Sequence, residues 1–363
     1  KPTYIFVKTT AAYYLPKILI QRLNYLKLIT HSTYLNKKTI FFINLFIILF
    51  FKGFTQTLLP TAETAFDIQL PFNKSYIKQN NIKSITFDII DKKDLQVAED
   101  KGLLNYYQFN KDGQLTRFYY TVISKIVQKE FHHDAVYHKK KKVSNAYSYT
   151  KNEYIYDTVA TTYFYNDYKE LKLKRNQDGS FYESYYFDYN SDGKINKERR
   201  CKETNVSAIK SDFKLGSQLT ISEESFTYLS TGKNQFKKTC LNDENRPFKE
   251  MIYNFNDAKL ITSINEQYIV TWITQKSVFE YNANNLLTKA IYTSNSNGLQ
   301  QLVRTYEYDK NNCLLTEKHF KNDKLQKEIS YITDENKKVT SYLIRDPNEK
   351  TIRIVKLYYQ FYL

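Results

Sequence analysis

Tyr306-Glu307-Tyr308-Asp309-Lys310-Asn311-Asn312-Cys313-Leu314 sets two aromatics at spacing two, an acid, a turn residue four positions after the second aromatic, and an aliphatic six positions after it. Residues i and i+2 share one face of a β-strand, so the two tyrosines lie side by side. With a three-residue loop, the second aromatic comes to lie opposite the residue six positions on. The last residue of that loop is left-handed, where Gly or Asn costs least. An Asp or Asn at the loop entrance can bond its own backbone. The segment therefore reads as a β-hairpin with an aromatic–aliphatic cross-strand pair.

The same spacing recurs at Tyr107-x-Phe109-Asn110, Tyr163-x-Tyr165-Asn166, Phe187-x-Tyr189-Asn190, Tyr253-x-Phe255-Asn256 and Phe279-x-Tyr281-Asn282, giving six copies. The returning aliphatics are Leu115, Leu171, Ile195, Ile261, Leu287 and Leu314, and the turn position holds Gly113, Gly193, Asn285 or Asn312 in four copies. Second aromatics 24, 26 and 27 residues apart leave room for two strands and two turns per copy. The longer gaps are expected to hold worn copies at Tyr154-x-Tyr156-Asp157 and Phe226-x-Tyr228. In front of the copies, Asn73 is placed to cap a short helix through Tyr76 to Asn80, before a strand at Ile82 to Ile90. Ile352 to Tyr358 reads as the last strand. The expected fold is mainly all-β, an extended antiparallel β-hairpin repeat sheet with a short N-terminal helix.

Tyr308-Asp309-Lys310-Asn311-Asn312-Cys313-Leu314 and Phe109-Asn110-Lys111-Asp112-Gly113-Gln114-Leu115 resemble the Y-D-x-x-G-x-L unit of the rearrangement-hotspot (RHS, or YD) repeat proteins of bacteria. The likeness spans roughly residues 100–345 and departs in using Asn for Asp in most copies. It implies a YD-type meander of hairpins. The large family members wind such hairpins into shells around a toxin, for which this chain looks too short. Phe320-Lys321-Asn322-Asp323-Lys324-Leu325 is similar to the turns of MORN-like variant repeats, which also make hairpin ribbons.

Composition narrows the class. Glycine, at 8 of 363 residues, is far below the usual ~7%, which argues against collagen-like and glycine-loop proteins. An aromatic content of 16% argues against disorder over most of the chain. The net charge of +16 is uneven, because the first 55 residues carry no acid and +8 of it. The other half is spread too thinly to suggest nucleic acid. Lys37-Lys38, the apolar run Thr39 to Phe51 and the small residues Gly53 and Thr55 form the three-part pattern of a secretory signal peptide. Cleavage is expected near Thr55/Gln56, with a retained anchor as the alternative. Residues 1–34 are read as upstream read-through, with Leu35 as a non-AUG start, or as part of a longer chain. The expected organisation is then 1–34 outside the fold, 35–55 signal peptide, 56–100 an N-terminal helix and strand segment, and 101–363 the β-hairpin repeat domain.

Candidate chemistry is sparse. Asp188-x-Asn190-x-Asp192-Gly193-x-Ile195 matches the opening of a calcium loop, but Arg199 stands where a bidentate acid would close it. Asn110-x-Asp112-Gly113 has the same turn without the leading acid, which favours turn geometry over calcium. His132, Asp134 and His138 would share a strand face as zinc ligands, yet Lys139 to Lys142 adjoin them. Those lysines could meet an anionic partner. Cys201, Cys240 and Cys313 are isolated and read as buried thiols. No hydrolase elbow, zincin site, phosphate loop or dinucleotide motif occurs. No catalytic, cofactor or metal residues are therefore assigned and no cofactor is expected. The functional expectation is an exported, non-enzymatic scaffold or binding surface, periplasmic, outer-membrane-associated or secreted, for an envelope protein or polysaccharide. Nucleic acid is not an expected partner, and membrane contact is expected only through the signal segment. The alternative is an extracytoplasmic enzyme acting on glycan through acids the sequence does not single out.

Overall fold

The loop expected after Tyr308 is the loop that forms. Asp309 Oδ1 accepts from the amides of Asn311 and Cys313 at 2.8 Å each, Asn312 sits at φ 63°, and Tyr308 faces Leu314. Every other copy matches: Phe109 faces Leu115, Tyr165 Leu171, Tyr189 Ile195, Phe255 Ile261 and Tyr281 Leu287. Where the turn position holds lysine, Lys169 and Lys259 still adopt φ 66°. Two more loops of this build, entered at Asn242 and Asp334, escape the aromatic pattern because Leu241 and Thr333 stand where the aromatic would be. The two worn copies are corrected. Tyr154 to Asp157 runs straight through one 19-residue strand, and Phe226 to Tyr228 lies inside another, whose turn comes later, at Gly232 to Gln235.

This computed structural model describes residues 56–363 except 68, 94, 134–136, 139–140, 143–145, 179–180, 209–211 and 297; the expected signal segment lies outside the described residues. Thr55–Leu363 form one compact unit. Its elements are α1 (Lys74–Gln79), β1 (Ile82–Lys93), β2 (Glu99–Phe109), β3 (Leu115–His133), β4 (Tyr137–His138), β5 (Lys141–Lys142), β6 (Tyr147–Tyr165), β7 (Leu171–Asp178), β8 (Phe181–Tyr189), β9 (Ile195–Asn205) and β10 (Leu215–Gly232). They continue as β11 (Gln235–Leu241), β12 (Pro247–Phe255), β13 (Ile261–Tyr268), β14 (Thr274–Tyr281), β15 (Leu287–Ser294), β16 (Gln300–Tyr308), β17 (Leu314–Lys321), β18 (Lys324–Thr333), β19 (Val339–Arg345) and β20 (Thr351–Phe361).

The sheet is all antiparallel and 18-stranded, and it is closed. Each long strand pairs with the next, β3 with β6 across the small β4–β5 hairpin, and β1 pairs with both β2 and β20. The seam runs from Ile82 opposite Phe361 to Lys93 opposite Thr351. This closure corrects the expected open repeat sheet: the chain is long enough to meet itself. Joining the first and last strands removes the two unpaired edges such a sheet would expose.

Tyrosine hydroxyls tie successive hairpins together. Tyr165, Tyr189, Tyr281 and Tyr308 donate to the carbonyls of Leu115, Leu171, Ile261 and Leu287 at 2.7–2.9 Å. Each acceptor is the aliphatic that follows the preceding loop in that register. Tyr228 and Tyr359 do the same to Ile195 and Val339 at 2.7 and 2.6 Å.

The segment before β1 fills the lumen. Asp67 and Gln69 are two residues apart, so their Cα atoms are at most ~7 Å apart. The Asp67 carbonyl accepts from Arg304 on β16 at 3.2 Å, and Gln69 meets Tyr163 on β6 at 2.7 Å. Around the wall these strands are eight steps apart, about 38 Å at ~4.8 Å per step. Only a chain crossing the inside reaches both. Phe72 packs against Phe87, Tyr107 and Phe109, with ring centroids 6.4, 4.8 and 5.2 Å away. Helix α1, capped as expected by Asn73, seats beside the β2–β3 loop, where Lys78 pairs with Asp112 at 3.0 Å.

Residues on this plugged face point inward, so the alternate residues point outward. The outward set includes the cross-strand pairs Lys237–Glu250 and Lys197–Glu223 at 2.6 Å, and Lys318 between Glu307 and Glu328 at 3.6 and 3.8 Å. A strand spanning a bilayer needs ~9–11 residues and an apolar outer band, and a lysine at its midplane costs ~2–4 kcal/mol. Here β11 and β19 have 7 residues and the outer wall is laced with charge.

Gly113 and Gly193 occupy the same loop position but different surroundings. A Cβ on Gly113, at φ 76°, would collide with the Lys74 carbonyl and lie 2.9 Å from the Lys78 amide; on Gly193, at φ 71°, it meets only Glu170 Oε1, at 3.3 Å. Gly193→Ala should cost about 1 kcal/mol for the left-handed backbone. Gly113→Ala should cost about 2 kcal/mol more and loosen α1, as read by chemical denaturation.

Candidate functional site

Inside the barrel, charge gathers where the plug meets β16–β18. The Glu317 side chain is 7% exposed and receives hydrogen bonds from His319 and, at 2.9 Å, from Tyr331, while Arg304 lies 3.9 Å away. Burial alone would raise its pKa, but His319, Tyr331 and Arg304 hold it below the ordinary carboxylate range. Burial pushes the Lys327 ammonium down. It also pushes Asp67 up, against Lys174 and Arg304 from opposite walls. A cavity of about 250 Å³ lies among Asp67, Gln69, Arg304, Glu317, His319 and Lys327. Each carboxylate of this group faces a cation, so it locks the plug to the wall.

A second buried acid lies on the outside. Glu203 is fully buried, bound by Arg175 at 3.0 Å, Ser184 at 2.6 Å, Gln218 at 2.7 Å and the Tyr186 hydroxyl. Burial opposes its charge, but these donors keep its pKa low. Phe213, from the β9–β10 connection, covers the Arg175 guanidinium at 3.7 Å. Its partners are again internal.

On the lumen wall away from the plug, Glu198 on β9 stands directly opposite Glu224 on β10. Burial and the Glu224 charge raise the Glu198 pKa, with Lys238 and Lys249 acting against them.

An exposed aromatic group lies on the β3–β6 arm. These 19-residue strands run well past their neighbours, pairing only with each other from His133–Tyr147 down to Val122–Asp157. Phe131, Tyr147 and Tyr149 are 39, 56 and 44% exposed. With His133 they form one row: Phe131–Tyr149 centroids are 5.4 Å apart, His133–Tyr147 4.9 Å and Tyr147–Tyr149 6.2 Å, all within 25° of parallel.

The sequence candidates separate. Asn190 Oδ1 accepts from the amides of Asp192 and Lys194 at 3.0 Å and is consumed by the turn. Asp188 lies on β8 opposite Lys197, and Arg199 lies on β9. Among the described residues no cluster of three or more His, Cys, Asp or Glu could hold a metal. His132 is exposed, 3.8 Å from Glu130. Asp134 and Lys139–Lys140 lie outside the described residues, and His138 pairs with Lys141 in the β4–β5 hairpin. Cys201, Cys240 and Cys313 are buried, free thiols. Sequence reasoning missed Glu203, Glu317 and the arm. The arm had a signal in the alternation Tyr147-x-Tyr149, but the expected turn at Asp157 hid its length.

No protein-family model matches the chain, and no curated protein does. Among solved structures, a porin-like protein from Bacteroides uniformis aligns at 12% identity over 77% of this chain and 98% of its own, with a TM-score of 0.33. A porin-like protein from Bacteroides vulgatus aligns at 8% identity over 75% of this chain and 97% of its own, TM-score 0.29. A chain of the TcdB2-TccC3-Cdc42 structure aligns at 11% identity over 68% of this chain but 12% of its own, TM-score 0.29. Scores of this size define no shared fold, and the closed barrel stands on its own strand pairing.

The two buried acids set an acid limb. Their folded pKa values lie below the unfolded value of ~4.3, so their stabilisation is present above that pH and is lost as pH falls through the folded values. Thermal stability should begin to fall as pH drops below about 4.3 and continue to fall at lower pH. Glu317→Gln should lower stability at pH 7 by about 2 kcal/mol and flatten that limb.

Proposed function

We propose that this protein is an exported, non-enzymatic scaffold of the bacterial envelope that binds polysaccharide through the aromatic row of the β3–β6 arm. The carrying observation is that row: three large rings and a histidine, near-parallel and exposed, at the end of a ribbon that pairs its backbone with no third described strand. Aromatic faces present broad apolar area with a polar rim, and a near-parallel row at 5–6 Å suits a chain of flat, repeating rings. The buried carboxylates are already neutralised inside the protein, which supports a structural role for them. Export rests on the Lys37 to Gln56 pattern, and the charge pairs on the outer wall support a periplasmic or surface location over insertion in a bilayer.

The test is sedimentation with insoluble cell-wall polysaccharide. Phe131→Ser, Tyr147→Ser and Tyr149→Ser together should weaken binding at least tenfold, leaving the barrel's melting temperature unchanged. Undiminished binding by that variant would remove the arm as the contact. A second reading, a glycan-acting enzyme, has support only in the opposed Glu198 and Glu224, one of them poised toward its protonated form. If that pair acts, glycan turnover should be measurable and should vanish in Glu198→Gln; the scaffold reading expects none in either protein.

A further inference from the structure

The arm has a free edge whose sequence is complementary to itself. Beyond Thr161, which pairs with Asn176 of β7, no described strand pairs with β6 on the side away from β3. Residues 147–158 are exposed there save for half-buried Tyr154. An isolated two-stranded ribbon is marginal in water, and a long unpaired edge is a template for another strand.

From the geometry we infer that two copies of this chain join through this edge, antiparallel and centred on Asn152. In that register Lys151 of each copy lies opposite Glu153 of the other, twice over by symmetry. Tyr149 lies opposite Ile155, Thr150 opposite Tyr154, and Asn152 meets Asn152, whose amides can bond each other. Lys151, Glu153, Tyr149 and Ile155 share the face that bears the aromatic row, so ion pairs sit at the centre flanked by aromatic–aliphatic pairs. Such cross-strand pairs are each favourable, and a twofold contact must be self-complementary in this way. Shifting the centre to Lys151 or Glu153 sets like charges opposite one another, which fixes the register. The β3 edge lacks this property: centred on Gln128 it would oppose Ile126 to Glu130 and Lys125 to Phe131. Glu153 already meets Lys129 of its own chain, so the partner's Lys151 completes a three-charge row. Dimerisation turns the two-stranded ribbon into a four-stranded sheet carrying both aromatic rows on one face.

Sedimentation equilibrium of the purified protein tests this. The wild-type protein should be dimeric. Lys151→Glu alone and Glu153→Lys alone, each placing two like-charge pairs at the centre, should weaken association tenfold or more. Mixed in equal amounts, the two variants should re-form a dimer, because the first then carries acids at both central positions and the second carries lysines at both, so that every central pair between them joins opposite charges. A monomeric wild type, single variants that stay dimeric, or a mixture that stays monomeric would each overturn the pairing. Because the mixture must recover association, loss through misfolding is told apart from loss of the contact. The polysaccharide assay reads the aromatic row independently.

Discussion

The three-residue loop with its left-handed last position is the constraint from which the rest follows. It fixes which residue faces the aromatic across each hairpin, and so fixes the register on one side of every pair it joins. The tyrosine hydroxyls fix the other side, because each reaches the carbonyl after the preceding loop in that register. A barrel closes only when the strand offsets accumulate to a consistent stagger. Repeating one offset from hairpin to hairpin supplies it, and β1 then meets β20 along its whole length, with one register shift between Ile82 and Ser84.

Closure creates an inside that must be filled. The 26 residues from Gln56 to Asn81 cross it with almost no regular structure, which leaves backbone groups to satisfy. Wall side chains satisfy some of them, Tyr306 and Arg304 donating to the carbonyls of Ala65 and Asp67 at 3.2 Å each, and plug side chains reach back to the wall, Gln56 Oε1 accepting from the Leu314 amide at 2.7 Å and Tyr76 donating to the Asn336 carbonyl at 3.2 Å. The loops at one end thus do two jobs, turning the chain and gripping the plug. That is why Gly113, which lies against α1, is less replaceable than Gly193. The outer wall carries lysine–glutamate pairs, which add little stability at an exposed surface.

Local chemistry was legible in the sequence and global geometry was not. The six aromatic–aliphatic pairs, the left-handed position, the Asn73 cap and the last strand could all be read because each depends on residues within one hairpin or one turn. The preference for tyrosine over phenylalanine at the second aromatic, at Tyr165, Tyr189, Tyr281 and Tyr308, was visible, but its reason lies about 20 residues or more away. Closure was hidden because β1 precedes the first copy and reads as a separate front segment. The length of the arm was hidden by a false turn at Asp157, where an acid after two tyrosines lies in mid-strand. Glu203 and Glu317 look like any other strand acid, since their burial is decided by an outer loop and an inner plug.

Cross-linking across the seam tests closure most directly. Thr86 and Tyr358 are directly opposed between β1 and β20, and Val278 and Ile291 between β14 and β15; all four face outward. With cysteines at Thr86 and Tyr358, a short thiol-bridging reagent should join them as completely as it joins cysteines at Val278 and Ile291, a pair that would form in an open sheet as well. Bridging of the control pair alone would show that the first and last strands do not meet, and that the barrel is open.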